Sequence, residues 1–507
     1  MLLADLVATS TAVAATRSRK AKVVALVVLL RQLEQDDVES AVGFLTGVPR
    51  QGRIGVGWRA AYSSEAVAAE QPTVEVRELD RMLTELARTS GAGSVAARQA
   101  RLTALFSKAT AAEAEFVRRL LTGELRQGAL AGVMTDAVAT AAEVPIDVVR
   151  RAAMLSGDLG RTATIALHGG LADLVAVRLA VLHPIQPMLA ASAADVGEAL
   201  DHTGLASVEW KLDGARVQVH RLGDEVRIYT RNLNDITDRL SGVAEVARGL
   251  DAESFVLDGE VLGVDDDARP RAFQDTMSAF GRDGASGGGD ALLVTFFDVL
   301  HVDGVDLIDE PLSVRQHRLD ALVGGLAVPR AITADPRTAR ATLEHSLAEG
   351  HEGVMVKALD STYDAGRRGG AWRKVKPVHT LDLVVLAAEW GHGRRQGWLS
   401  NLHLGARDPA GGFVMVGKTF KGLTDALLTW QTSALLEREL DREGIVVRVR
   451  PELVVEIALD GVQTSNRYPG GVALRFARVK GYRRDKDPHE ADLIGTVQGL
   501  RPTSRHR

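Results

Sequence analysis

The sequence predicts a three-part chain: an all-α region over 1–190, a mixed α+β region over 191–377 and a small β-barrel over 378–507. Three observations carry this. Ala and Leu recur at helical spacing through the first region. Short strand-like runs alternate with helical segments through the second. After Asp382, apolar runs bounded by turn residues replace the helical period. A length of 507 residues also suits about three domains.

In the first region Phe116, Val117, Leu120, Leu121 and Leu125 fall on one helical face, and Arg118, Arg119, Glu124 and Arg126 point elsewhere. Gly123 and Gly128 punctuate this stretch. Val95–Leu105 reads as a helix with Ser94 as its cap. Met134–Leu155 reads as another helix. Pro184–Ala190 breaks the helical pattern and reads as a connector. In the second region, strands are expected at Val217–Val219, Val226–Tyr229, Phe255–Leu257, Leu292–Phe297 and Gly353–Val356, with a helix at Val314–Leu322. Gly281–Asp290 reads as a glycine-rich loop. In the third, Leu383–Leu386, Leu402–Leu404, Val414–Val416 and Leu453–Ile457 read as strands, and Asp408–Gly412 as a hairpin turn. A closed barrel of the OB type suits this pattern.

Composition narrows the function classes. A chain 46% hydrophobic and 25% charged is ordinary for a soluble globular protein. The net charge of -5 provides no global basic field, so a nucleic-acid partner would have to be met by local patches. The absence of cysteine excludes disulfides and cysteine-ligated zinc and fits a reducing cytoplasm. The longest apolar run, Val23–Leu30, is too short to span a bilayer, so neither a membrane segment nor a signal peptide is expected.

The run Lys211-Leu212-Asp213-Gly214-Ala215-Arg216 carries the most chemical information. It follows a strand-like Val208-Glu209-Trp210 and precedes the alternating Val217–His220. It is expected to hold a lysine, an aspartate and an arginine on one sheet edge, with Gly214 allowing the chain to bend tightly. A lysine amine becomes a nucleophile when neighbouring cations or a dry pocket ease loss of its proton. Further segments follow in order. Arg231 in Tyr229–Asn232 is expected on a strand returning beside the lysine strand, where a guanidinium fork suits phosphate. Leu257-Asp258-Gly259-Glu260 and Glu352-Gly353 offer carboxylates for a divalent metal or a ribose hydroxyl. Phe296 and Phe297 face opposite sides of one strand, so one is expected in the core and the other free to stack. Lys374 and Lys376 alternate onto one face. They suit a triphosphate and would crowd Lys211 with like charge. A basic segment, Leu474–Arg478 and Arg483–Lys486, closes the series. Taken singly, each piece has a plain structural reading as a solvated charge or a core residue.

Their order and spacing resemble those of ATP-dependent DNA ligases, and most closely the mycobacterial type-B group of that family. Leu125–Gly128 is similar to part of the family's helical DNA-binding domain, and Pro187–Ala190 to its lead-in to the adenylation domain. His301 stands where a tyrosine is common and Ala477 where a proline is common. The resemblance implies a helical DNA-binding domain, a nucleotidyltransferase domain and an OB-fold domain at the three stated spans. It implies that Lys211 attacks ATP to form lysyl-AMP, with Mg²⁺ held by Glu260 and Glu352. Glu209 would read the adenine amino group and Phe297 would stack on the ring. Arg216, Arg231 and Glu260 would contact nucleotide, ribose or phosphate, and Arg368, Lys374 and Lys376 would hold phosphate. The basic segment would orient pyrophosphate as the barrel closes. The implied partner is nicked duplex DNA, bound by a cytoplasmic monomer without a membrane. RNA ligases and capping enzymes fit less well, because a large helical region precedes the lysine. NAD⁺-dependent ligases usually carry a four-cysteine zinc site, which this chain lacks. A DNA-binding protein with a relict site remains the reading from a different class.

Overall fold

The computed structural model describes residues 1–52, 54–63, 66–91, 93–125, 131–264, 291–364 and 368–501. The expected loop at 281–290 and Arg126–Gly128 lie outside them. The described elements up to Ala176 are all helices and share one apolar core, from Leu3 and Leu6 to Phe106, Phe116, Val138 and Leu174. Three local expectations need correction. The helix bearing Phe116 spans Ala111–Leu121 and stops short of Leu125, because Gly123 turns into the left-handed region at φ 71°. Ser94 lies inside its helix, Ser94–Lys108, and the capping position is Gly93 at φ 80°. Met134–Leu155 is two helices, Ala131–Ala141 and Ile146–Ser156, parted at Glu143 (φ 57°) and restarted after Pro145.

Two five-stranded sheets follow. The first has the order β1-β10-β9-β2-β8, with β1 at Leu189–Ser192, β2 at Ala206–Lys211, β8 at Arg330–Thr333, β9 at Gly353–Ala358 and β10 at Arg368–Val375. The second has the order β4-β3-β5-β6-β7, with β3 at Ala215–Leu222, β4 at Glu225–Thr230, β5 at Ser254–Val264, β6 at Ala291–Val302 and β7 at Val305–Asp306. The strand at Leu189–Ser192 corrects the reading of Pro184–Ala190 as connector throughout: its last two residues already pair with β10.

The connector itself is sewn to the second sheet. Leu182, at φ 69°, donates its N–H to His220 Nδ1 (3.1 Å) and accepts from the Tyr229 hydroxyl (2.5 Å). Ile185 N–H donates to Gln218 Oε1 (2.9 Å). Burial holds His220 neutral, with its pKa lowered to about 3, which leaves Nδ1 free to accept. Met154 and Leu155, at the end of the last long helix, share an apolar cluster with Val256, Leu300, Ile308, Tyr363 and Trp372. The helical region is thereby packed against the double-sheet region.

The final region is a barrel built around one long strand, β11 at His379–Trp390. Its first half pairs with β16 (Val454–Leu459) and its second half with β15 (Val446–Val449), while β12 (Leu399–Arg407) runs along its other edge. The turn at Asp408–Gly412 joins β12 to β13 (Phe413–Thr419) as expected, with Asp408 N–H donating to Gly412 O. β14 (Glu439–Glu443) pairs with β15, and β19 (Arg478–Tyr482) pairs with β16. The β17–β18 hairpin (Gly461–Thr464, Val472–Arg475) reaches β13 through Leu474, whose Cγ comes 3.2 Å from where a Cβ on Gly417 would stand. Among the described residues the strand order does not close on itself through backbone hydrogen bonds. The core, including Leu383, Leu404, Val416, Val455 and Ile457, is sealed by Leu428 and Leu435 of the helix Asp425–Leu436.

Candidate active site

Lys211 and Arg216 stand on different sheets. Lys211 ends β2 in the first, Arg216 lies on β3 in the second, and Leu212–Gly214 crosses between them. The expected single sheet edge is therefore a junction of two sheets. Gly214 is needed for close approach: an added Cβ would lie 2.4 Å from Val261 O, 2.7 Å from Leu262 Cδ2 and 2.9 Å from Glu260 Cγ. Its φ is not in the left-handed region, so the requirement is one of space. Leu212 anchors the crossing by packing with Leu262, Val264 and Val328.

Antiparallel register builds the first sheet's working face. Glu209 pairs with Met355, which pairs with Lys374; Lys211 pairs with Gly353; Ser207 pairs with Lys357, which pairs with Trp372. All of these side chains share one face. At its edge Glu352 forms a charge centre. Its Oε2 lies 2.5 Å from Lys211 Nζ and 2.6 Å from Lys376 Nζ, and its backbone N–H donates to Lys211 O. Lys376 was expected to crowd Lys211, but a carboxylate stands between the two ammoniums. Burial pushes the Glu352 pKa up, but the two lysines outweigh it and hold the group at about 2. Deeper in, Glu209 and Lys357 form a buried ion pair (2.6 Å). Gln316 and Ser207 also donate to Glu209 Oε1, at 2.8 and 3.2 Å. Lys357 Nζ sits 4.6 Å from the Phe297 ring centroid and 4.2 Å from that of Trp372.

The second sheet faces these groups with carboxylates, a guanidinium and a ring. Arg216 is opposite Glu260 in register. Its fork is occupied by Asp258, which accepts from Nε (3.0 Å) and Nη2 (2.5 Å), and Nη1 donates to Met188 O (2.7 Å). Glu260 makes no side-chain hydrogen bond among the described residues. Burial raises its pKa to about 7, with Lys211 and Arg216 only partly offsetting that. The β5–β6 ladder pairs Asp258 with Asp298 but Gly259 with Phe296, so Phe297 is an extra residue in a bulge. Phe296 is buried in the sheet's core, whereas Phe297 is half-buried and lies between the sheets, with its ring 6.3 Å from Trp372 and 5.3 Å from the Arg216 guanidinium.

Not every expected residue converges. Arg231 is exposed in the turn after β4, which pairs with β3 and not with the lysine strand. The Val217–Thr230 register still puts it level with Arg216. Arg368 opens β10 opposite Leu189. Of the basic C-terminal segment, Arg475 reaches the site: it pairs with Asp213 (2.9 Å) and approaches Glu352 (3.9 Å), while Asp460 approaches Lys376 (3.9 Å). Arg483 and Lys486 instead hold Asp382 within the barrel, at 3.2 and 2.6 Å. The barrel therefore caps the lysine in this structure. Sequence reasoning missed the pairing of Arg216 with Asp258, Gln316 beneath Glu209, and Tyr363, because their partners are brought together only by sheet register.

Two carboxylates beside a lysine cluster suit a magnesium ion. Such an ion usually takes one or two protein carboxylates and fills its remaining positions with water and substrate phosphate oxygens. Glu260, with no hydrogen-bonded partner among the described residues, and Glu352 are the carboxylates that would supply such ligands. Among the described residues no group of three or more metal-type side chains forms a complete protein cage.

Comparison with known proteins identifies the family. The family model described as ATP dependent DNA ligase domain matches residues 187–376, the ATP dependent DNA ligase C terminal region matches 395–486, and the DNA ligase N terminus matches 51–139. A probable DNA ligase of Pseudarthrobacter chlorophenolicus is 57% identical over 506 residues, covering 99% of each chain. One of Saccharopolyspora erythraea is 55% identical over 507 residues, covering 100% of this chain and 99% of that one. The solved structure Pmar-Lig_PreS3 shares the fold, with a TM-score of 0.62 at 17% identity over 94% of this chain and 99% of its own. The chain belongs to the ATP-dependent DNA ligase family.

Proposed function

We propose that this ligase seals nicks in duplex DNA by a lysyl-AMP route centred on Lys211. The observation that carries the reading is Lys211 at the junction of two sheets, facing Glu352 at 2.5 Å with Lys376 behind it. Lys211 Nζ attacks the α-phosphorus of ATP. An N–P bond forms, the bond to the pyrophosphate oxygen breaks with pyrophosphate leaving, and the amine proton passes to solvent. Glu352 orients the amine for that attack. Glu209 accepts from the adenine amino group and Phe297 stacks on the ring. Arg216 and Arg231 face ribose or phosphate, and Arg368, Lys374 and Lys376 hold phosphate. Glu260 and Glu352 would hold Mg²⁺, which when bound offsets phosphate charge. The AMP then passes to the 5′-phosphate at the nick. The 3′-hydroxyl attacks that phosphate, sealing the strand and releasing AMP. Every step moves a charged phosphoryl group, so positioning and electrostatics dominate.

The helical region and the barrel meet the duplex through phosphate contacts, which suit a substrate of any sequence. We place the enzyme in the cytoplasm as a monomer; no helix among the described residues is long and apolar enough to cross a membrane. The test is sealing of a labelled nicked duplex with ATP or NAD⁺, with wild type and Lys211→Ala. Sealing with ATP alone, abolished in the variant, is expected. Sealing with NAD⁺ alone, or by the variant, would overturn the reading.

A further inference from the structure

Tyr363 lies outside every motif that points to the chemistry, yet its hydroxyl is the hub of a buried network. The side chain is 1% exposed. Its OH donates to Asp258 Oδ2 (2.6 Å) and accepts from Met188 N–H (3.0 Å) and Arg216 Nη2 (3.2 Å). Arg216 closes a second loop through Met188 O (2.7 Å). Both backbone groups of Met188, in the connector from the helical region, are thus bound to groups of the catalytic half. The ring is fixed on its own side, with Tyr363 N–H donating to Ile308 O and the ring edge-on to Trp372 at 5.8 Å. Burial and the Asp258 charge keep the hydroxyl protonated, so it remains a donor.

We propose that Tyr363 is a positioning residue for nucleotide binding, setting Arg216 through Asp258 and tying that setting to the connector at Met188. Arg216 is held on three sides: by Asp258, by Met188 O and by the Tyr363 hydroxyl. Loss of the hydroxyl leaves an Asp258 oxygen and the Met188 N–H without their shared partner, and the guanidinium is free to swing with the carboxylate. The inference rests on the reading that ATP binds this cleft. It adds that the connector forms part of that site.

The test is the rate of lysyl-AMP formation against ATP concentration in the full chain, comparing wild type with Tyr363→Phe. The expected result is an ATP KM raised about tenfold with a maximal rate changed less than about twofold, since the hydroxyl does not touch the reacting atoms. A merely structural role would lower the amount of active enzyme and leave KM unchanged; that result, or an unaltered enzyme, overturns the inference. If Tyr363→Phe does not fold, Asp258→Asn keeps the shape of the network and is expected to raise KM in the same way; an unchanged KM there is equally contrary. In the double variant the two effects should be less than additive, and full additivity would show that the residues act apart. A wild type that takes no label from ATP would overturn the functional reading itself. A labelled wild type with an unmoved variant overturns this inference alone.

Discussion

The two sheets that meet at Lys211 treat their carboxylates in opposite ways. On the first, Glu352 lies between two lysines and its pKa falls to about 2. On the second, Glu260 lies close by without a hydrogen-bonded partner among the described residues, and its pKa rises to about 7. Both are half-buried and both feel Lys211. The difference is direct contact: two ammoniums within 2.6 Å outweigh the burial of Glu352, whereas Glu260 feels the same cation only at longer range. One sheet thus presents a finished charge pair that holds the nucleophile. The other presents a carboxylate that burial, and not a direct ion pair, controls.

Removing the finished pair should have the largest effect. Glu352→Gln leaves Lys211 and Lys376 without the carboxylate between them, and lysyl-AMP formation should fall by about 100-fold through misplacement of the amine. Rapid-quench labelling with α-labelled ATP measures this; an undiminished rate would mean that the pairing is incidental. Gly214→Ala tests the junction between the sheets. A Cβ 2.4 Å from Val261 O must push the crossing away from β5. A destabilisation of about 1–3 kcal/mol is expected, with adenylation slowed about tenfold if Lys211 shifts by a fraction of an ångström. Thermal melts beside labelling would detect both, and a wild-type melt with wild-type rate would place the glycine's importance elsewhere.

The smallest effect sharpens the contrast between the carboxylates. Because the folded-state pKa of Glu260 lies above its ordinary value of 4.5, the folded protein keeps a proton that the unfolded chain releases. Stability is therefore lost as pH rises from 4.5 through about 7. Glu260→Gln should melt like wild type at acid pH and about 2 °C higher above neutrality without metal. Glu352 has the reverse sign: its contribution is present above 4.5 and lost as pH falls toward 2. A Glu260→Gln difference that does not vary with pH would remove the contrast.

Much of this was legible in the sequence. The three regions, the strands bearing Lys211, Glu260 and Phe297, and the placing of Glu352 just before a buried strand follow from periodicity and motif order. That one of Phe296 and Phe297 is core follows from strand alternation, and that Phe297 is the other follows from the family resemblance. What periodicity could not reveal is which strands pair. Nothing in Lys211–Arg216 tells that the lysine and arginine belong to different sheets, because a three-residue crossing looks like a hairpin turn. The bulge that sets Phe297 apart from Phe296 depends on register against Asp258 and Gly259. Arg216 looked free for phosphate because its partner, Asp258, is far away in sequence. Tyr363 carried no signal at all, since its importance lies in three partners from three separate segments. Met134–Leu155 read as one helix because Pro145 suits the first turn of a second helix as readily as it breaks a first.

The most direct test of the account is the location of the covalent adenylate. The protein would be incubated with ATP and Mg²⁺, denatured and digested, and the modified peptide identified by mass spectrometry under conditions that preserve a phosphoramidate. The account predicts AMP on Lys211 and on no other residue. AMP on Lys357, Lys374 or Lys376, or its persistence in Lys211→Ala, would contradict it.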